Sequence, residues 1–285
     1  MIPTIIHQIW FQGYQNVPKH LKDYSDSWRK NNSEYTFMFW DQITIEKLID
    51  DIAVDWITET YNHFDIMIQK IDFAKYIILY YIGGIYIDID VKSIKPLSFL
   101  GELLNSDLLV SEMPYDFWQR ALFFVTGYTD TKVIVNNGII MTRKNHPVLL
   151  DTMHNVEKYR DNLFKNRNKF LYIFNSTGPL VLTEALKNYI QKENIPKESK
   201  EIIIVDQTYF EGCDIGDIKY TGCEIPENAI GLHYYESAWV SDSEKKLLGV
   251  YYKIKDNIYF VVLLIVLVYF YIKLHRNNPP KYIDI

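Results

Sequence analysis

The sequence predicts an α/β fold: a mostly parallel central sheet covered by helices, with an apolar helix appended near the C-terminus. Three observations carry that expectation. Strand-like and helix-like stretches alternate from Ile5 to Asp90, the order that builds a parallel sheet. The stretch from Asp72 to Asp90, DFAKYIILYYIGGIYIDID, changes its hydrophobic period at a glycine pair. Near the other end, Asn257–Ile272 reads NIYFVVLLIVLVYFYI and carries no charge.

Ile5–Phe11 is the first expected strand. Pro18 opens a helix in which Leu21, Tyr24 and Trp28 share one face at i, i+3 and i+7. Tyr35–Trp40 is aromatic-rich and strand-like, Asp41 begins a polar turn, and helical segments continue through Asn62. Asp72–Ile82 is almost wholly apolar apart from Lys75 and is long enough to be a buried helix. Gly83-Gly84 stops it, since glycine takes the left-handed conformation that a helix C-terminus needs. Ile85–Asp90 then alternates, with Ile85, Ile87 and Ile89 on one face of a strand and Tyr86, Asp88 and Asp90 on the other.

Beyond Pro96, Asp107–Met113 is a further strand. Val133–Thr142 is strand-like but interrupted by Asn136-Asn137-Gly138. His146-Pro147 leads into helical runs to about Phe174, and Thr177, followed by Gly178-Pro179, is the expected N-cap of a helix running to about Gln191. Glu201–Asp206 and Ala229–Tyr235 are short strands. The expected organisation is one domain over residues 1–249, a membrane span over 256–273 and a polar tail over 274–285.

Composition narrows the function classes. Of 285 residues, 48% are hydrophobic and 23% charged, which suits a globular core. The net charge of −6 argues against nucleic-acid binding, which wants a basic face. Cys213 and Cys223 lack the close pairing of a zinc site and can be either a disulfide or two thiols. Met1–Phe11 has no basic leader and is broken by Pro3 and His7, so it reads as a buried strand rather than a secretory signal. As a helix, Asn257–Ile272 would be ~24 Å long at ~1.5 Å per residue, and the flanking Lys253, Lys255 and Lys273 can extend it toward a ~30 Å hydrocarbon core. It is expected to anchor the chain in an endomembrane of ER or Golgi type, or a viral or host membrane. Basic residues on both flanks leave the side of the domain open.

Asp88 and Asp90, two apart on one strand face, have Cα atoms roughly 7 Å apart. That spacing suits a shared divalent cation and a phosphate group, and strand ends are where α/β sheets place ligands. Paired aspartates after an apolar strand also mark haloacid-dehalogenase-type phosphatases. There a Thr or Val normally stands where this chain has Lys92, and the strand opens the fold. Asp72 and Lys75 can also be a plain helix ion pair, His7 a hydrogen-bonded core residue, and Trp28, Trp40 and Trp56 packing residues.

Taken together, Asp72-x-x-Lys75 and Gly83-Gly84-Ile85-Tyr86-x-Asp88-x-Asp90 resemble the signature of DXD glycosyltransferases with the GT-A fold, a Rossmann-like nucleotide-sugar-binding domain. The nearest likeness is to the Och1-like and inositol phosphoceramide mannosyltransferase family. Ile2-Pro3-x-Ile5-Ile6-His7-Gln8-Ile9-Trp10, Asn137-Gly138, His146-Pro147, Thr177-Gly178-Pro179 and His233-x-x-x-Ser237-x-Trp239 follow in the family's order.

The resemblance implies a metal-dependent, retaining transfer of a hexose (mannose, galactose, glucose or N-acetylglucosamine) from GDP-mannose or a UDP-hexose to a glycan, glycolipid or protein. Asp88 would hold the donor's ribose, Asp90 would bind Mn²⁺ or Mg²⁺ directly, and Asp88 and His233 would complete the metal set. Asp72 and Lys75 would meet the donor sugar, with Tyr86 and Asn137 beside them. Trp10 would stack on the base, and Ser237 and Trp239 would close over the diphosphate. The family usually has arginine where this chain has Lys75, which loses the planar two-oxygen grip. That departure leaves room for a membrane-tethered scaffold with a decayed site.

Overall fold

The computed structural model describes residues 1–113, 133–196, 199–213 and 222–236, with isolated positions 218, 246, 250 and 266–268. The chain divides into two units. Met1–Ile215 with Cys223–Trp239 holds every element discussed below; Gly216–Gly222 with Val240–Ile285 forms the other.

The described strands are β1 (Ile5–Ile9), β2 (Thr36–Trp40), β3 (Gly84–Ile87), β4 (Val91–Ser93), β5 (Leu108–Glu112), β6 (Val135–Thr142), β7 (Ile202–Val205) and β8 (Gly231–His233). Six of them form one sheet in the order β2-β1-β3-β6-β5-β7. β1 runs parallel to β2 and β3, and β5 parallel to β7; β6 is antiparallel to both β3 and β5. The sheet is therefore mostly parallel, as expected, with β6 reversed in its middle.

The described α-helices of the first unit are α1 (Lys19–Asn31), α2 (Gln42–Ile52), α3 (Asp55–His63), α4 (Met67–Tyr81), α5 (Pro147–Tyr159), α6 (Lys169–Ser176) and α7 (Pro179–Lys192). Strand alternation divides the apolar residues between two cores. Tyr86 and Ile140 join Ile45, Phe73, Ile77, Val148 and Leu182 on the face covered by α2, α4, α5 and α7. Ile85, Ile87, Ile139 and Met141 face the other way and pack with Trp28, Leu97, Leu100 and Phe210.

Local chemistry explains most boundaries. Asp41 caps α2 through its side chain, and Thr44 returns the bond in a capping box. His146 accepts the Val148 N–H at the start of α5, with Pro147 at the first helical position. Four expectations need correction. Helix α4 begins at Met67 rather than Asp72, because its first turns are one-sided: Met67 is exposed whereas Gln69 is buried and donates to Ser176. Asn136-Asn137-Gly138 does not interrupt β6, which runs through it fully buried. Thr177 does not cap α7, whose N-cap is Gly178, since the threonine hydroxyl donates to Asp72 instead. The strand expected over Ala229–Tyr235 is confined to β8. Cys213 and Cys223 form a disulfide.

Among the described residues no helix is long and apolar enough to cross a membrane. The expected span over 256–273 lies outside the described residues except for 266–268, as does the tail over 274–285.

His7, at the centre of β1, is the hydrogen-bonded core residue that an apolar strand suggests. The Trp40 indole N–H donates to its Nδ1 at 3.1 Å, so Nδ1 must be an acceptor and Nε2 carries the hydrogen given to the Gly83 carbonyl at 2.8 Å. Gly84 lies against the same ring at φ +109, where a Cβ would come within 2.7 Å of the Ile5 carbonyl oxygen. Burial, opposed by the Gly83 bond, lowers the His7 pKa from 6.5 to about 4. The unfolded chain therefore binds more protons than the folded one between those values. The stability His7 contributes is complete above 6.5 and fades as the pH falls toward 4. Nitrogen NMR at pH 5.5 is expected to show His7 as the neutral Nε2–H tautomer; an imidazolium pattern there would refute this account.

Candidate active site

The two aspartates of the DXD stretch do not share a strand face. β3 ends at Ile87, and Asp88–Val91 folds as a turn in which the Val91 N–H donates to the Asp88 carbonyl at 3.1 Å. The Asp88 N–H donates to the Gly138 carbonyl at 2.8 Å, which ties the start of the turn to β6. Beyond the turn, β4 pairs antiparallel with β8, placing Val91 opposite His233. The Trp28 indole N–H donates to the Val91 carbonyl at 2.8 Å, so α1 braces this small ribbon.

The ribbon brings His233 to the aspartates. Its Nε2 lies 3.2 Å from Asp90 Oδ1, and the second Asp90 oxygen accepts the Glu236 N–H at 2.8 Å. One ligand atom from each of Asp88, Asp90 and His233 lies within 4.8 Å of the others. Two opposed ligands of an ion at ~2.1 Å span ~4.2 Å, so small side-chain rotations suffice for a shared cation. Two carboxylates with one imidazole are a donor set that Mn²⁺ accepts and Mg²⁺ tolerates. The residues fit the expected metal. Gly138 keeps the space clear, because a Cβ there would meet Asp88 Oδ2 at 3.1 Å and His233 Cε1 at 3.3 Å.

The electrostatics are those of closely packed charges. Burial, with the repulsion of Asp90, pushes Asp88 up to about 6 against the pull of Lys75 and His233. Burial acts on Asp90 in the same sense, yet His233 and the Glu236 N–H overcome it and hold Asp90 below the usual carboxylate range. His233 is opposed by burial too, but Asp90 and Glu211 raise it well above an ordinary histidine.

On the inner side of Asp88 sits the α4 cluster. Lys75 Nζ lies 2.8 Å from Asp72, 3.9 Å from Asp88 and 5.0 Å from the centre of the Tyr86 ring, and donates to the Asn137 carbonyl at 3.1 Å. Asp72 also accepts the Thr177 hydroxyl at 3.1 Å, and Asn137 donates to the Tyr76 hydroxyl at 3.0 Å. Tyr86 donates to Asp88 at 2.7 Å, fixing one carboxylate oxygen. The Asp72–Lys75 pair is thus a real helix ion pair that also reaches the DXD turn.

Trp10 follows β1 at the edge of its C-terminal end; its indole N–H is buried without a hydrogen-bond partner among the described residues. Trp28 and Trp40 are buried packing residues, and Trp56 stacks on His154 at 4.4 Å. Ser237 and Trp239 lie outside the described residues. The segment leading to them is held by Tyr234, which stacks on Tyr24 of α1 at 4.4 Å and donates its N–H to the Asp90 carbonyl at 3.0 Å. Sequence reasoning missed Asn136 and Glu211. Asn136 stands in the quoted Asn136-Asn137-Gly138, but Glu211 lies in a turn-rich stretch with no local signal.

Residues 18–110 match the family described as a glycosyltransferase sugar-binding region containing a DXD motif. An uncharacterized glycosyltransferase of Acanthamoeba polyphaga mimivirus is 30% identical over 268 residues, covering 92% of this chain and 92% of that protein. Inositol phosphoceramide mannosyltransferase 1 of Schizosaccharomyces pombe is 27% identical over 198 residues, covering 68% of this chain and 54% of that protein. The chain spans about half the length of the fungal relatives of this kind. Among solved structures, the PaToxG glycosyltransferase superposes with a TM-score of 0.47 at 20% identity, covering 67% of this chain and 70% of that one. The mimivirus relative is matched along nearly its whole length, and the family match ends twenty residues past Asp90. The chain belongs to the DXD-containing glycosyltransferases.

Proposed function

We propose that the chain is a metal-dependent, retaining hexosyltransferase that takes its sugar from a nucleotide sugar. The observation that carries the reading is the meeting of Asp88, Asp90 and His233, from two stretches far apart in sequence, beside the Asp72–Lys75 pair. When bound there, Mn²⁺ or Mg²⁺ would offset diphosphate charge and stabilise the departing nucleoside diphosphate.

The chain's own residues hold the donor in this reading. Lys75 pairs with Asp72 and Asp88, opposing the burial that raises both carboxyls and holding them in place, and Tyr86 fixes the Asp88 carboxylate toward the ribose. Asp72, oriented by Lys75 and Thr177, takes hydroxyls of the sugar, with Asn137 beside it. Trp10 offers an indole face to the base. The family resemblance assigns Ser237 and Trp239 to the diphosphate; the described segment before them is tied to Asp90 through the Tyr234 and Glu236 N–H groups.

The relatives named as mannosyltransferases make GDP-mannose the first donor to test and inositol phosphoceramide the first acceptor, with UDP-hexoses next. The full chain, offered a panel of nucleotide sugars with Mn²⁺, is expected to release nucleoside diphosphate from at least one. Chelation with EDTA should stop the release and added Mn²⁺ restore it. Failure to turn over or bind any sugar nucleotide would leave an inactive scaffold instead. The anomer of the transferred sugar, read by NMR, tests retention. The apolar stretch over 256–273 is assigned to membrane anchoring, and protease protection in sealed vesicles would give the side of the domain.

A further inference from the structure

Glu211 is 1% exposed and lies outside every motif that the family resemblance uses. A carboxylate so deeply buried needs partners, and here they form a chain with one direction. The Gly138 N–H donates to Asn136 Oδ1 at 2.9 Å, which turns the Asn136 amide nitrogen toward Glu211. That nitrogen donates to Glu211 Oε1 at 2.7 Å. The other oxygen, Oε2, lies 2.6 Å from His233 Nδ1. A carboxylate in this position accepts, so Nδ1 carries a hydrogen and the metal-facing nitrogen of His233 is Nε2.

The backbone repeats the link. The His233 N–H donates to the Glu211 carbonyl at 3.0 Å, and the Cys213 N–H donates to the same oxygen at 2.8 Å. Gly212 permits the approach at φ +69, where a Cβ would lie 2.9 Å from the Gly231 carbonyl oxygen. Both ends of the Glu211 residue therefore grip one histidine, and its contacts with the described residues point to no other use for the buried carboxylate.

We propose that Glu211, held by Asn136, is a positioning residue for the metal site: it fixes the ring orientation and tautomer of His233 so that Nε2 is presented beside Asp88 and Asp90. The proposal rests on the reading of those three residues as the metal ligands. A carboxylate behind a ligating histidine orients the ring and makes it a better donor, and its removal typically lowers metal affinity ~10- to 100-fold.

The full chain tests this through Mn²⁺ binding rather than turnover. Titration followed by electron paramagnetic resonance gives affinity, and spin-echo modulation reports a directly bound imidazole nitrogen. Wild type is expected to bind Mn²⁺ with a histidine signal. In Glu211→Gln, affinity should fall ~10-fold or more, with the nitrogen signal weakened and circular dichroism unchanged. Wild-type affinity and nitrogen signal in a folded Glu211→Gln would overturn the positioning role while leaving the metal ligands standing. No Mn²⁺ binding by wild type, with or without nucleoside diphosphate, would instead remove the metal reading on which the proposal rests. If Glu211→Gln does not fold, Asn136→Ala carries the test. It keeps the carboxylate but frees Oε1, and should weaken Mn²⁺ in the same direction; unchanged affinity would count against the proposal.

Discussion

Asp90→Asn is expected to lower glycosyl transfer by roughly 100-fold or more while the thermal unfolding midpoint changes little. A bound metal's Lewis-acid contribution is several kcal/mol, and each ~1.4 kcal/mol is tenfold in rate. Asp90 is the residue on which the two halves of the site converge: Oδ1 faces His233, Oδ2 accepts the Glu236 N–H, and its carbonyl accepts the Tyr234 N–H. Asparagine keeps the shape, and its carbonyl oxygen can still accept the Glu236 N–H, but it loses the charge and turns its NH₂ toward His233 Nε2. The fold survives because β4 and β8 are joined by their backbones, with Trp28 holding Val91. Loss of charge at Asp90 also removes the repulsion that helps raise Asp88. Stability therefore gains one term as it loses the His233 pair. Measuring Mn²⁺-dependent donor hydrolysis beside a melting curve separates the two effects. Near-normal turnover would sink the assignment of Asp90 to the metal.

The parts of this site that were legible in the sequence are those with a local pattern. The apolar run before Gly83-Gly84 gave a buried helix, and the alternation through Tyr86 gave the strand that aims at the turn. His233 stood out by its place in an ordered set. Boundaries were less legible because tertiary partners decided them. Thr177 looks like a helix cap, yet its hydroxyl is better used on a buried carboxylate, and glycine takes the cap position at little cost. β4 and β8 are three residues each, too short for any period to show, and each is a strand by virtue of the other. The alternation through Asp88 and Asp90 continued past the true end of β3, because a turn closed by a backbone bond leaves no mark in side-chain polarity. Glu211 was invisible for a different reason: a lone acid in a polar stretch is ordinarily solvated, and its role comes from β8 folding back against it.

Lys75→Met should destabilise the domain by about 3–5 kcal/mol, the usual result of leaving one partner of a buried ion pair alone. At ~2–4 °C per kcal/mol for a domain of this size, the melting midpoint should fall by roughly 6–20 °C. Methionine nearly fills the lysine's volume, so the loss is one of charge rather than packing. Lys75 is 2% exposed and is the cation for two carboxylates, Asp72 at 2.8 Å and Asp88 at 3.9 Å. Those attractions outweigh the burial that opposes its charge. Asp72 is the group left to bear the consequence: among the described residues it keeps the Thr177 hydroxyl and a 3.5 Å contact from Asn137. Adding Asp72→Asn to Lys75→Met should recover much of the lost stability, because this ion pair then leaves no uncompensated charge in α4, while donor use stays lost. A single variant that melts like wild type would show the pair to be incidental to the fold. Lys75→Arg asks the complementary question. Its planar fork can reach both carboxylates at once, so transfer should persist or improve. Complete loss would mean that the slot between Asp72, Asn137 and Tyr86 has been shaped around the narrower ammonium, and that the lysine is an adaptation of this site rather than a step toward its decay.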